Sequence, residues 1–176
     1  MKNILAISGS LRAKSTNLTI IEAIAEMFGE QINVEIYDGL ARLPHFNPDL
    51  EASAPIEEVE DWRRRIRAAD GVLICTPEYV FSIPGALKNA LEWTVGTSDF
   101  AGVPVALITA SSLGEKTHES LFLVLKTIEA KISESTALLI SGARTKVNSE
   151  GKLTHAPTIE AINLLIEAFL RAIDGI

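Results

Sequence analysis

The sequence has a single cysteine, Cys75, and it has no apolar run long enough to cross a lipid bilayer. One cysteine cannot form an internal disulfide or a cysteine-based metal cluster, which agrees with a reducing compartment. The N-terminus also shows no basic segment, long apolar core and cleavage site of a signal peptide. We therefore expect a cytoplasmic protein in which Cys75 is a small buried hydrophobic residue.

The net charge and the positions of the histidines argue against further classes of protein. A net charge of −7 argues against a general binder of nucleic acid or of anionic membranes, although it permits a local basic site for one phosphate. His45, His118 and His155 are scattered, and no carboxylate–histidine cluster suggests a metal ion. We expect no metal and no catalytic side chain. The arginines at 63, 64, 65 and 67 are expected to complement a helix dipole.

What the sequence does contain is a regular alternation of apolar runs and amphipathic patterns. The 176 residues, 47% of them apolar, suffice for one α/β domain spanning residues 1–176. Continuous apolar runs indicate strands buried on both faces of a parallel sheet, and five of them favour the flavodoxin-like order 2-1-3-4-5. The predicted strands cover residues 4–7, 33–37, 71–76, 103–109 and 136–141. In that order the loops at 9–17, 77–82 and 110–117 meet at one edge of the sheet.

The loop at residues 9–17 leads from the first strand into a helix. Such a loop offers free backbone N–H groups and the positive end of the helix dipole, which together bind phosphate well. It matches neither the P-loop nor the GxGxxG pattern. An ordinary turn in which Ser15 caps the helix is the alternative. The side chains suited to phosphate are those of Ser10, Arg12, Ser15, Thr16 and Asn17.

The loop after the third strand, in the segment PEYVFSIPGALKNALEW, is expected to be stiff and to form one wall of a binding site. Pro77 and Pro84 restrict the backbone, and Gly85 is expected to permit a close approach. Tyr79 and Phe81 predict an aromatic wall, although they could simply pack. The N–H groups of residues 78–80 are expected to bond the edge of a flat polar ring, and a helix is predicted over 82–94.

Together, GSLRAKSTN and PEYVFSIPGALKNALEW resemble the NADPH-dependent FMN reductase family, which includes enzymes assayed as chromate, quinone and azo-dye reductases. The segments LPHFNPDLE and SEGKLT are also similar to that family. The resemblance implies FMN as cofactor and NADPH or NADH as reductant. It implies hydride transfer through FMN to quinones, azo compounds, free flavins or metal oxyanions such as chromate. Many relatives carry a polar residue or glycine where this chain has Val80 and Phe81, and more glycines in the loop after strand 4.

The resemblance also implies roles for individual residues. The FMN phosphate is expected at Ser10, Arg12, Ser15 and Asn17, with Thr16 close by. Pro77, Glu78, Tyr79 and Val80 are expected to line the isoalloxazine ring, with Ser111, Ser112 and Gly114 at its other edge. For Glu78 we expect a backbone contact to the ring, the alternative being a side chain that only faces solvent.

Two alternatives to a reductase remain open from the sequence. The chain could be an FMN-binding electron carrier without pyridine-nucleotide activity, or a flavin-free interaction domain on the same fold. As partners we expect a small-molecule electron acceptor and a second copy of the chain, with no nucleic acid or membrane. A homodimer or homotetramer is predicted from the apolar residues Val80, Phe81, Ile83, Leu87, Leu91 and Trp93.

Overall fold

The structure, a computed structural model, describes residues 1–148 and 150–176. Its strands are β1 (Lys2–Ser8), β2 (Ile32–Ile36), β3 (Gly71–Thr76), β4 (Val105–Ser111) and β5 (Ala137–Ser141). They form one parallel sheet in the order β2-β1-β3-β4-β5, which confirms the predicted flavodoxin-like order.

Helices of the described residues cover both faces of this sheet. They are α1 (Thr16–Met27), α2 (Pro48–Glu51), α3 (Glu57–Ala68), α4 (Gly85–Glu92), α5 (Glu115–Thr127) and α6 (Ala156–Asp174). Short 3₁₀ turns lie at Glu134–Thr136 and Ala143–Lys146. Within the described residues, no helix is both long and apolar enough to span a membrane.

The two faces of the sheet have separate apolar cores because successive strand residues point in opposite directions. In β1, Leu5 and Ile7 pack in the core that contains α3, α4 and α5, whereas Ile4 and Ala6 pack in the core that contains α1 and α6. Burial on both faces explains why the central strands β1, β3 and β4 are apolar over most of their length. The loops at the carboxyl ends of the strands are therefore the part of the sheet that remains available to build a site.

Several predicted boundaries were wrong. The helix predicted over 82–94 is α4, Gly85–Glu92, because Tyr79 to Ser82 forms a separate hairpin. The loop after β2 contains α2, which begins where the side chain of Asn47 accepts the Asp49 N–H at 2.9 Å. The sequence also predicts a turn at residues 149–151, and Ser149 of that turn lies outside the described residues.

The arginines of α3 complement the helix dipole, and one of them also packs inside the protein. Arg65 and Arg67 lie in the last turn, as that prediction requires. Arg63, however, is buried, and its Nε donates to the carbonyl of Trp93 at 2.9 Å. Its guanidinium also pairs with Glu60 at 3.1 Å and lies 3.7 Å from Asp99. Arg63 therefore holds α3 against the segment that follows α4.

Candidate active site

A pocket of about 250 Å³ lies at the carboxyl edge of the sheet, between the loops that follow β1, β3, β4 and β5. It is lined by 10 of the 12 residues predicted for the site: Ser10, Arg12, Ser15, Thr16, Asn17, Pro77, Glu78, Tyr79, Ser111 and Ser112. Ala110, Ala143 and Arg144 also line it. The topology thus brings together residues that are far apart in the chain.

Gly9 allows the first of these loops to leave the sheet. A Cβ at this position would lie 2.2 Å from the Oγ1 of Thr76, so no larger residue fits between the ends of β1 and β3. The N–H of Gly9 also donates to the carbonyl of Cys75 at 2.9 Å. The loop therefore begins beside the end of β3, at the point where the pocket opens.

At the start of α1, the Ser15 hydroxyl accepts the N–H of Asn17 at 3.2 Å, which is the helix cap of the alternative interpretation of this loop as an ordinary turn. This oxygen only accepts in that bond, so its proton remains able to reach a ligand oxygen. Ser10 forms a hydrogen bond of 3.2 Å with the hydroxyl of Tyr79, which joins the first and second loops. Asn17 is buried, and its side-chain oxygen accepts from the Cys75 thiol at 3.4 Å.

Cys75 is fully buried, as predicted. Burial raises the pKa of its thiol well above the ordinary value, because the thiolate would be desolvated. The thiol therefore stays protonated and is no nucleophile.

The N–H groups of the second loop are less available than predicted. The N–H of Glu78 donates to the Ser111 hydroxyl at 3.2 Å, and that of Tyr79 donates to the Ser82 carbonyl at 3.0 Å. Among the described residues, no acceptor engages the third N–H, that of Val80. Two of the three predicted ring-edge donors are thus already used within the protein.

Tyr79 and Ser82 exchange two backbone hydrogen bonds, each of 3.0 Å, and so close a two-residue hairpin. Its central residues, Val80 and Phe81, have φ values of 52° and 55°, the pattern of a type I′ turn. Such turns favour asparagine and glycine, and a β-branched residue is strained there. Val80 and Phe81 are 96% and 68% exposed, and neither lines the pocket. The predicted aromatic wall is therefore Tyr79 alone.

Glu78 has a side-chain role that the sequence prediction missed. Its carboxylate accepts the N–H groups of Gly114 at 3.2 Å and Thr117 at 2.9 Å, at the N-terminus of α5. α5 needs this acceptor because its N-cap residue, Gly114, has no side chain. Gly114 adopts φ of 102° and does not line the pocket, and its place at the ring edge stays a prediction.

Two further expectations about the second loop were wrong. A Cβ at Gly85 would meet no described atom within 4 Å, so this glycine permits no close approach. The apolar surface proposed for self-association is also mostly internal: Ile83, Leu87, Leu91 and Trp93 are buried in the core of the chain itself. Only the hairpin residues 80 and 81 of that set remain exposed.

His118 lies behind the pocket, near the start of α5. Its Nδ1 is 2.9 Å from the Thr109 hydroxyl, and burial lowers the pKa of the imidazole below its ordinary value. This position agrees with the expectation of a structural histidine. His45 is exposed, and His155 bonds the Thr158 hydroxyl at 2.8 Å, so the histidines are not brought together.

The sheet order and the pocket between the loops after β1, β3 and β4 define a flavodoxin-like α/β protein. A solved flavodoxin from the domain Archaea has the same fold, with a TM-score of 0.63 at 9% identity over 97% of this chain and 98% of that one. Residues 2–145 match the family model described as NADPH-dependent FMN reductase. The chain belongs to this family, and it is an NAD(P)H-dependent reductase of the flavin-using type.

Individual relatives match this chain over nearly its full length. The chain is 31% identical to NADH-dependent flavin reductase subunit 2 of Lactobacillus johnsonii, over 97% of each chain. It is 30% identical to an NAD(P)H-dependent FMN reductase of Pseudomonas aeruginosa, covering 94% of this chain and 91% of that protein. A solved flavoenzyme, an NAD(P)H:(acceptor) oxidoreductase from Paracoccus denitrificans, superposes with a TM-score of 0.85 at 25% identity, covering 99% of this chain and 98% of that one.

Proposed function

We propose that the chain binds FMN in the pocket at the carboxyl edge of the sheet and passes electrons from NADPH or NADH to small-molecule acceptors. The observation that carries this proposal is the pocket's composition. Donors suited to phosphate come from the loop after β1 and the first turn of α1, and Pro77 and Tyr79 of the proline-stiffened loop after β3 line the same pocket. In a chain of this family, that arrangement suits a molecule with an anionic tail and a flat ring.

The donor set fits a phosphate monoester. Arg12 supplies a planar fork, Ser10 and Ser15 supply hydroxyls, and the first turn of α1 supplies the positive end of its dipole. Glu78 is the one acidic side chain among the described residues that line the pocket, and it would repel a phosphate if it were free. Both of its oxygens accept N–H groups of α5 instead, so its charge is partly offset.

The chemistry would belong to the cofactor: bound FMN can accept a hydride and give up its electrons to a second molecule. The chain's own residues bind and orient. Pro77 and Tyr79 would support one face of the ring, while Ser111 and Ser112 would lie at an edge and the N–H of Val80 is free to donate. Because hydride transfer requires no protein base, the scattered histidines do not count against an enzyme.

Quinones and free flavins are the acceptors we propose first. A quinone reductase of Pseudomonas putida is 37% identical over 112 residues, which cover 62% of this chain and 60% of that protein. Two relatives that match more than 90% of this chain are a flavin reductase subunit and an FMN reductase. Azo compounds and metal oxyanions such as chromate remain proposals from the family resemblance.

One experiment separates the proposal from its alternatives. The purified protein is mixed with FMN, desalted and examined by visible spectroscopy, and NADPH and NADH oxidation is then followed with a quinone. A retained flavin spectrum with rapid quinone-dependent oxidation is expected. A retained flavin without oxidation would identify an electron carrier. A colourless protein after desalting would favour a flavin-free interaction domain.

A further inference from the structure

A second arginine, Arg144, lines the same pocket as Arg12, and the sequence prediction did not include it. Arg12 lies in the loop after β1, whereas Arg144 lies in the 3₁₀ turn after β5. We infer that the phosphate of the bound flavin is held between these two loops, with Arg144 as its second guanidinium. This inference rests on the proposed function, since it assigns a further residue to the same ligand.

The turn that carries Arg144 lies on the same side of the sheet as α1, the helix that follows the loop at residues 9–17. Ala143 is 2% exposed and packs in the core that contains α1 and α6. A few residues later, Val147 and Asn148 line a second cavity together with Ser15 and Thr16. The chain after β5 therefore runs alongside the N-terminus of α1, where the phosphate would bind.

Hydrogen bonds fix the backbone of this turn. Gly142 adopts φ of 64°, a left-handed conformation that favours glycine, and its N–H donates to the Ser112 carbonyl at 3.0 Å. The Ser141 hydroxyl donates to the Leu113 carbonyl at 2.8 Å. The N–H of Thr145 closes the turn onto the Gly142 carbonyl at 2.9 Å. Arg144 thus extends from an ordered backbone, so the turn itself loses no further conformational entropy when the side chain binds a ligand.

Within residues 1–148 and 150–176, neither arginine of the pocket forms an ion pair with an acidic side chain. The arginines that form ion pairs within the described part of the chain are Arg42, Arg63, Arg64, Arg65 and Arg67. Arg12 and Arg144 are both exposed at the pocket. In a chain of net charge −7, two guanidinium groups without a carboxylate partner leave a local excess of positive charge. A dianionic phosphate is the kind of group that would bind both.

The test compares FMN with riboflavin, which has the same ring and lacks the phosphate. Affinities are measured by quenching of flavin fluorescence at low salt. We expect Arg144→Ala to weaken FMN binding about tenfold and to leave riboflavin binding unchanged. Arg12→Ala should act in the same way, and the double variant should bind FMN and riboflavin almost equally. Lys146→Ala is the matched control, because it removes a positive charge from the same turn without lining the pocket.

Other outcomes would overturn the inference. If Arg144→Ala weakened FMN and riboflavin equally, the residue would act on the ring or on the fold. If FMN affinity were unchanged while the KM for NADPH rose, Arg144 would serve the nucleotide instead. Raising NaCl should weaken FMN binding more in the wild type than in Arg144→Ala, and equal salt dependence would contradict a charge contact. Equal FMN and riboflavin affinity in the wild type would reject the phosphate site itself, a failure of the proposed function.

Discussion

The carboxylate of Glu78 is predicted to stabilise the fold by capping a helix that belongs to a different loop. It accepts two N–H groups at the start of α5, at 3.2 and 2.9 Å. Replacing Glu78 with alanine leaves both donors without their acceptor in a partly buried place. Side-chain caps contribute about 1 kcal/mol, and hydrogen bonds to a charged group contribute somewhat more. We therefore expect Glu78→Ala to lower the free energy of unfolding by about 2 kcal/mol.

A conservative variant and a control separate the cap from general charge effects. Glu78→Gln keeps one acceptor oxygen and loses the charge, so we expect a cost of about 1 kcal/mol. Glu115→Ala removes a carboxylate from the first turn of the same helix, but Glu115 is exposed and contributes through the dipole alone. Its loss should cost about 0.5 kcal/mol.

Urea unfolding without added flavin measures these values. For a domain of this size, 2 kcal/mol corresponds to a fall in Tm of about 4–8 °C. Amide hydrogen exchange locates the effect, because the N–H groups of Gly114 and Thr117 should exchange faster in Glu78→Ala. Equal costs for Glu78→Ala and Glu115→Ala, or unchanged exchange at those two amides, would refute the capping argument.

The remaining predictions concern the hairpin, self-association, the half-buried His118 and the kinetics. Val80→Asn should raise the free energy of unfolding by about 1 kcal/mol, because asparagine tolerates the positive φ that strains valine; a loss in urea unfolding would argue that Val80 is packed against a partner. We expect a homodimer or homotetramer in light scattering, and Phe81→Ser should shift it toward the 19.0 kDa monomer; a wild type that is monomeric at micromolar concentration would reject self-association. Since burial lowers the pKa of His118 below 6.5, its contribution to stability is fully present above pH 6.5 and is lost as the pH falls from there through the lowered pKa of the folded state. His118→Gln should therefore flatten the pH dependence of unfolding in this range, and an unchanged slope would contradict it. Finally, NADPH and a quinone should compete for the one flavin face left open opposite Pro77 and Tyr79, which gives parallel double-reciprocal plots, whereas intersecting lines would mean that both bind at once.

The fold was predictable because its signals are local. Continuous apolar runs such as residues 71–76 have to be buried on both faces, and the parallel sheet with helices on each side follows from that requirement. The cap at Ser15 is equally local, since it depends on a side chain and an N–H two residues apart. Three of the four loops that meet at the pocket could be named in advance because the strand order places their starting points together.

Contacts between loops were decided by the tertiary structure alone. Glu78 reaches N–H groups 36 and 39 residues away, and no pattern in either segment records that bond. The N–H of Glu78, which the sequence prediction assigned to the ring edge, likewise donates to the Ser111 hydroxyl of another loop. Arg144 entered the pocket because Ala143 is buried on the α1 side of the sheet, a placement that depends on how the chain leaves β5. Local periodicity determines which residues are buried, but the direction in which an exposed loop side chain points depends on neighbours that only the folded chain supplies.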